Sequence, residues 1–179
     1  MLMHYLCLLE LMVLKMSKNI KNIEIVIKSF SNFTIKQDKD IKIAVNDIIE
    51  DNDFHVLDID EKEYSIKLEI IENMLVLDLQ STKTNKIYKS ISINLNSINK
   101  ILKEYILLCN SYYDAIKSAP VQKVEALDMG RRSLHDDASH ELLAKLKQYA
   151  YMDFSTARRF TTLLSIIYRK SLVGENIFN

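Results

Sequence analysis

The spacing of the apolar residues changes once along this chain, and that change limits its fold more than any other feature. Between residues 64 and 95, apolar and polar residues alternate, as in Tyr64, Ile66 and Leu68. From residue 97 onwards, apolar residues recur every three or four positions instead. The first pattern is typical of strands with one buried face, and the second is typical of amphipathic helices. The sequence therefore predicts a strand-rich half followed by a helical half.

The strand-rich half is predicted to span residues 16–95. Polar residues that suit turns, at positions 72–73 and 81–86, divide the alternating region into three antiparallel strands. Alternating isoleucines over residues 23–27 predict a further strand. The apolar spacing over residues 38–51 predicts a short amphipathic helix between that strand and the other three.

The helical half is predicted to span residues 96–179 and to contain three helices. The first covers residues 97–118, and Pro120 suits the first turn of the second, which runs to about Lys147. Asp153 is a suitable N-cap for the third helix. The predicted fold class is therefore α+β. A small antiparallel sheet of about four strands, with one N-terminal helix, packs against a C-terminal three-helix unit.

The N-terminal segment is apolar, and a membrane anchor is the less favoured of its two interpretations. Residues 1–14 are shorter than the roughly 20 residues that a membrane-spanning helix needs, and they include Glu10. They also lack the basic start and the small-residue cleavage site of a signal peptide. We expect translation to begin at Met16, with residues 1–15 an upstream start-codon overhang or a disordered segment. Residues 16–179 are then expected to form a single cytoplasmic domain.

The arginines mark a candidate site. All five follow Gly130, and two adjacent pairs occur at Arg131-Arg132 and Arg158-Arg159, whereas every Lys or Arg position before Gly130 is Lys. Arginine binds carboxylate or phosphate with a planar fork of donors that lysine does not have. The pairs therefore indicate either an anion site or ion pairs between helices. Gly130 costs about 1 kcal/mol relative to Ala inside a helix, which indicates close approach of another helix or a ligand.

Helical spacing separates the roles of these residues. Arg131 falls within an apolar stripe, where a guanidinium is costly unless it is paired, and His135 lies one turn further on. Asp128 and Arg132 are four residues apart, which suits an ion pair on the helix surface. The candidate binding residues are Asp128, Gly130, Arg131, Arg132, His135, Arg158, Arg159 and, if the helices pack antiparallel, Tyr112 and Tyr113.

Charge and ligand spacing disfavour several classes of function. Residues 1–95 carry 12 lysines and 15 acidic residues, and residues 96–179 carry 12 basic and 9 acidic residues, so the halves differ only from −3 to +3. Nucleic-acid binding is therefore not favoured. His135 and His140 are five residues apart and face different sides of a helix, so we expect no metal site. Cys109 is expected to be a buried thiol, and no sequence motif indicates a cofactor.

Several segments together resemble a known family. They are EDNDF, IIENMLVLDL, CNSYYDAIKSA, ALDMGRRSLHDDASHELLAKL and DFSTARRFTTLL, in that order along the chain. This arrangement, over roughly residues 36–167, resembles uncharacterised protein family 0262 of alphaproteobacteria, and the abundance of Ile, Lys and Asn resembles a rickettsia-like member. Ser133 stands where that family usually has a second glycine, and residues 136–138 and Tyr168 also depart from its pattern. The resemblance implies no activity.

Two functions are compatible with these features. The first is a non-enzymatic binding or regulatory module whose Arg/His-bearing helix surface binds an acidic protein partner or a small anion. The alternative is a small enzyme that acts on a phosphorylated or carboxylated metabolite, with His135 as general acid or base. The lack of a phosphate loop and of paired carboxylates favours the first. A Tyr-rich helix and an edge strand are each candidate surfaces for a homodimer.

Overall fold

The predicted change from strands to helices is present in the computed structural model, which describes residues 18–26 and 35–174. The strands are β1 (Ile20–Val26), β2 (Phe54–Val56), β3 (Tyr64–Ile71), β4 (Met74–Gln80), β5 (Ile87–Asn94) and β6 (Ala150–Met152). The helices are α1 (Ile35–Glu50), α2 (Asn96–Ser118), α3 (Val121–Leu146) and α4 (Phe154–Gly174). The predicted α+β fold class is confirmed. The expectation for residues 1–15 lies outside the described residues.

The main sheet has the strand order β1-β3-β4-β5, and β3, β4 and β5 form the predicted antiparallel meander. Alternate residues of each strand point into one core, as Leu68, Leu77 and Ile91 show, and each of these is at most 1% exposed. Apolar residues from all four helices pack against this face. The sheet therefore forms the base on which the helical half is held.

One strand does not follow the predicted antiparallel arrangement. Strand β1 pairs with β3 in parallel, with Ile23 opposite Ile66. Parallel neighbours need a long crossover connection, usually a helix, and α1 lies in that connection. The predicted antiparallel sheet is therefore confirmed for β3, β4 and β5, and β1 joins it in parallel at one edge. The strand–helix–strand order in the sequence was the available signal.

A second departure is at the start of β5. Leu79 pairs with Lys89, but Gln80 pairs with Ile87, so Tyr88 is an extra residue in β5. Such a bulge shifts the alternation by one position. Strict alternation from the buried Ile91 would place Ile87 on the inward face, but Ile87 is 50% exposed.

A two-stranded sheet, which the sequence analysis did not predict, joins the two halves. Strands β2 and β6 pair antiparallel, with Phe54 opposite Met152, and both of these side chains are buried. Each strand has only three residues, too few to show a period. This sheet brings the residues after α1 next to the start of α4. The backbone N–H of Asp153 donates to the carbonyl oxygen of Asp53 at 3.1 Å.

The helices of the second half begin and end close to the predicted positions. Pro120 directly precedes α3, and Asp153 directly precedes α4. The Asp153 carboxylate accepts a hydrogen bond of 2.9 Å from the backbone N–H of Thr156, which is the predicted N-cap. Among the described residues, no helix is long and apolar enough to cross a membrane.

Candidate functional site

A cleft of about 390 Å³ lies between α3 and α4, with one side chain contributed by α2. Its lining residues are Tyr105 from α2, Arg131, Arg132 and His135 from α3, and Ser155, Arg158, Arg159 and Thr162 from α4. The two arginine pairs are 26 residues apart in the sequence. The structure places both pairs, together with His135, in this one cleft.

Antiparallel packing of α3 and α4 brings these residues together. His135 Nε2 lies 3.0 Å from Thr162 Oγ1, and one turn further along α3 the Ser139 and Thr161 hydroxyl oxygens are hydrogen-bonded at 3.0 Å. Ser139 and Thr161 are fully buried. Their hydrogen bond fixes how the two helices face each other, and so fixes the position of the arginines on each side.

Asp128 holds Arg131 and Arg132 on the α3 side of the cleft. Its Oδ1 accepts from Arg131 Nε at 2.8 Å, and its Oδ2 lies 2.8 Å from Arg132 Nε. The Arg131 guanidinium also stacks over the Tyr112 ring, 4.7 Å from its centroid. Arg131 is thus paired and half-buried, whereas the Arg132 side chain is 67% exposed. Two guanidinium groups share one carboxylate.

The arginines of α4 have different partners. Arg158 forms an ion pair with Asp136 of α3, and Arg159 forms one with Asp51, which follows α1. Arg159 also donates to the Ser155 hydroxyl at 2.8 Å. These contacts connect α4 to two other parts of the fold. Arg158 and Arg159 therefore each form an ion pair with another part of the fold, which was one of the two interpretations of the arginine pairs.

His135 lies in the wall of the cleft as a neutral ring. Only 7% of the residue is exposed. Burial, followed by the charges of Arg158 and Arg131, lowers the pKa of His135 to about 4. The Thr162 hydroxyl donates its hydrogen to the Arg158 carbonyl oxygen at 3.1 Å, so it accepts from His135 Nε2. We therefore assign the proton of the neutral ring to Nε2.

Gly130 lies where α2 and α3 approach each other. A Cβ atom at this position would be 2.9 Å from Cδ2 of Leu108, which is closer than ordinary van der Waals contact. The close helix approach expected from the sequence is therefore present. Gly130 does not line the cleft, and its role in the structure is to let α2 pack next to Arg131.

Substitution of Gly130 should show this packing directly. We expect Gly130→Leu to lower the free energy of unfolding by about 1–3 kcal/mol, because the added side chain forces α2 and α3 apart. Gly130→Ala should change it by less than about 1 kcal/mol, because helix propensity offsets a small shift of Leu108. Urea unfolding measures both values. Ala126→Leu, on the exposed surface of α3, is the matched control and should be nearly neutral. Equal stability of Gly130→Leu and the unchanged protein would contradict this account.

The remaining predicted residues have unequal positions. Tyr112 contacts Arg131, as described above, but Tyr113 is 60% exposed and its ring contacts that of Tyr112 at 5.8 Å between centroids. The cleft also contains residues that the sequence analysis did not single out as site residues, namely Tyr105, Ser155 and Thr162. Ser155 and Thr162 lie three residues before and four after Arg158, so helical spacing from the arginine pair was the available signal.

No metal site is visible in the part of the chain that the structure describes. Within residues 18–26 and 35–174, no three His, Cys, Asp or Glu side chains are grouped so that they could hold a metal ion. Cys109 is a free, buried thiol, as expected. The described residues that line the cleft supply guanidinium groups, hydroxyls and an imidazole.

The fold and the cleft define a class of protein: a small α+β domain with an arginine-lined cleft between two antiparallel helices. The chain belongs to the uncharacterised protein family UPF0262, whose sequence profile matches residues 17–170. The family resemblance noted in the sequence is thus confirmed.

Curated relatives from alphaproteobacteria support this assignment. A UPF0262 protein of Azorhizobium caulinodans is 40% identical over 129 residues, which cover 72% of this chain and 80% of the relative. A UPF0262 protein of Caulobacter vibrioides is 34% identical over 149 residues, covering 83% and 92%. One from Brucella canis is 38% identical over 128 residues, covering 70% and 79%. No solved structure matches the chain.

Proposed function

We propose that the cleft between α3 and α4 binds a small anionic ligand and that the protein acts as a non-enzymatic binding module. The observation that carries this proposal is that Arg131 and Arg132, which share the single carboxylate of Asp128, line a cleft of about 390 Å³. That volume falls within the range of small-molecule sites. A concave site of this size favours a small anion over the acidic surface of a protein partner.

The charges of the cleft support an anionic ligand. Both oxygens of Asp128 are used, one by Arg131 and one by Arg132, so a single negative charge faces two positive ones. The stacking of Arg131 on Tyr112 fixes one guanidinium without adding negative charge. A pre-positioned guanidinium with unused N–H donors is well suited to bind carboxylate or phosphate.

The state of His135 favours binding over catalysis. A general acid or base works best when its pKa is near the operating pH, and the pKa of His135 is lowered to about 4. At neutral pH the His135 ring is uncharged, so it does not act as a general acid, and its low pKa makes it a weak base. Its Nε2–H is already donated to Thr162. The enzyme hypothesis, in which His135 transfers a proton, is therefore the less favoured of the two.

The test is a calorimetric titration of the protein with inorganic phosphate, sulfate and citrate at low ionic strength. We expect saturable binding of at least one of these anions. The double variant Arg131→Gln, Arg132→Gln should bind it at least about tenfold more weakly, because charge-assisted hydrogen bonds are lost.

The matched control removes two positive charges elsewhere. Lys83 and Lys86 lie in the exposed turn between β4 and β5, so Lys83→Gln, Lys86→Gln should retain the affinity of the unchanged protein. Circular dichroism establishes that each variant is folded. The absence of saturable binding by any of the three anions at millimolar concentration would refute the proposal.

A further inference from the structure

Arg169 was not among the residues predicted for the site, but helical spacing places it on the face of α4 that lines the cleft. Arg169 follows Thr162 by seven residues, or two helical turns, and Arg158 by eleven, so all three lie on one face of α4. Helices α3 and α4 run antiparallel, and His135 of α3 lies opposite Thr162 of α4. A residue two turns after Thr162 on α4 is therefore opposite a residue two turns before His135 on α3. That step on α3 reaches Asp128. Arg169 therefore lies at the level of Asp128 and Arg131.

The pKa of Tyr105 is consistent with this position of Arg169. Its pKa is raised to about 12, first by burial and then by its neighbour Cys109. The charges of Arg131 and Arg169 both act in the opposite direction and lower it. Both guanidinium groups are thus close enough to the Tyr105 phenol to affect its pKa, as expected if both face the cleft.

The two ends of the extended cleft differ in charge. At one end, Arg158 and Arg159 each have a carboxylate of their own, Asp136 and Asp51 respectively, so that end is electrically balanced. At the other end are Arg131, Arg132 and Arg169, with Asp128 as the only carboxylate that pairs with any of them among the described residues. Three positive charges and one negative charge leave an excess of two at this end.

We propose that Arg131, Arg132 and Arg169 form the anion-binding end of the cleft and take a doubly charged phosphate group, whereas Arg158 and Arg159 hold α4 in place. This inference rests on the proposed function and makes it more specific. An excess of two positive charges matches a dianion better than a carboxylate, which carries only one negative charge. Guanidinium forks from facing helices are also able to contact different oxygens of one tetrahedral group. The phosphate could be the free ion or a phosphate monoester.

The experiment compares two single arginine variants in calorimetric titrations with inorganic phosphate, glycerol phosphate and acetate. We expect phosphate to bind more tightly than acetate. Arg169→Gln should weaken phosphate binding about tenfold while leaving the unfolding midpoint unchanged, because Arg169 is exposed. Arg159→Gln should lower the unfolding midpoint and change phosphate affinity less than about twofold. Lys83→Gln is the control for removal of one positive charge.

The outcomes separate this inference from the proposed function. If phosphate binds in an Arg131-dependent way but Arg169→Gln binds it as tightly as the unchanged protein, the inference fails and the proposed function stands. The same conclusion follows if acetate binds as tightly as phosphate, or if Arg159→Gln weakens binding as much as Arg169→Gln. If no anion binds, both fail. Tighter binding of glycerol phosphate than of inorganic phosphate would identify a monoester as the ligand, and the reverse order would identify the free ion.

Discussion

Replacement of Asn52 by Ala is expected to lower the free energy of unfolding by about 3 kcal/mol. The Asn52 side chain is 5% exposed, and its Oδ1 accepts from the backbone N–H of Ile20 at 2.9 Å. Its Nδ2 donates to the carbonyl oxygens of Ile48 at 2.8 Å and Ile20 at 3.2 Å. Alanine leaves these backbone groups buried without a partner, and each such loss costs roughly 1–3 kcal/mol before relaxation.

The position of Asn52 explains why its replacement should destabilise more than one part of the fold. The amide joins the last turn of α1 to strand β1, which is an edge strand of the sheet within the described residues. The neighbouring Asp51 pairs with Arg159, and the backbone N–H of Asp53 donates to the Thr156 hydroxyl at 2.9 Å. Residues 51–53 therefore attach the sheet to the first turns of α4, where the cleft begins.

Urea unfolding monitored by circular dichroism measures this effect. Asn99→Ala is the matched control, because Asn99 makes an exposed side-chain hydrogen bond to Asn73. We expect that control to change the free energy of unfolding by no more than about 0.5 kcal/mol. A decrease in the free energy of unfolding below about 1 kcal/mol for Asn52→Ala would contradict this expectation. It would mean that water reaches the backbone groups that Asn52 otherwise pairs.

Local patterns predicted most of the fold. The alternation in β3 and β4 and the three- or four-residue spacing in α2–α4 each specify which face of an element is buried, so they identify the elements and the shared core. Apart from the strand–helix–strand order, which was a signal for the parallel pairing of β1, they contain no information about which strands become neighbours. The parallel pairing of β1 with β3 and the β2–β6 pair depend on tertiary packing, and the bulge at Tyr88 depends on the register with β4.

The candidate site was predictable in part for a similar reason. The arginine pairs are conspicuous in a chain that otherwise uses lysine, and helical spacing linked Arg131 to His135 and Arg132 to Asp128. Their convergence on one cleft required the antiparallel contact of α3 and α4, which spacing alone does not specify. Spacing also does not show that Asp136, four residues after Arg132 on α3, pairs with Arg158 across the helix interface.

The burial of His135 as a neutral ring predicts that this side chain makes the free energy of unfolding depend on pH. Its pKa is lowered from an ordinary value of 6.5 to about 4 in the folded state. Below pH 6.5 the unfolded chain binds a proton at this position, but the folded chain does not until the pH approaches 4. The free energy of unfolding therefore decreases as the pH falls from about 6.5 to 4, by at most roughly 3 kcal/mol.

The comparison with His135→Gln isolates this contribution. Glutamine does not titrate, so the variant should lose less stability than the unchanged protein between pH 7 and pH 4.5, in urea unfolding at both values. Carboxylates contribute to both proteins and largely cancel in the difference. His140→Gln is the control, because His140 is exposed and stacks on Phe154 outside the cleft wall. Identical pH dependence of His135→Gln and the unchanged protein would show that His135 is not buried as a neutral ring.

The pKa of His135 is also expected to respond to a bound anion. Arg131 and Arg158 help to lower the pKa of His135 from opposite walls of the cleft, and Tyr105 packs beside the ring, with 5.4 Å between centroids. A phosphate bound at Arg131 would offset part of that positive charge. We therefore expect the pKa of His135, followed by NMR of its ring, to rise towards 6.5 in saturating phosphate. An unchanged pKa, together with calorimetric evidence of binding, would place the anion at a site away from Arg131.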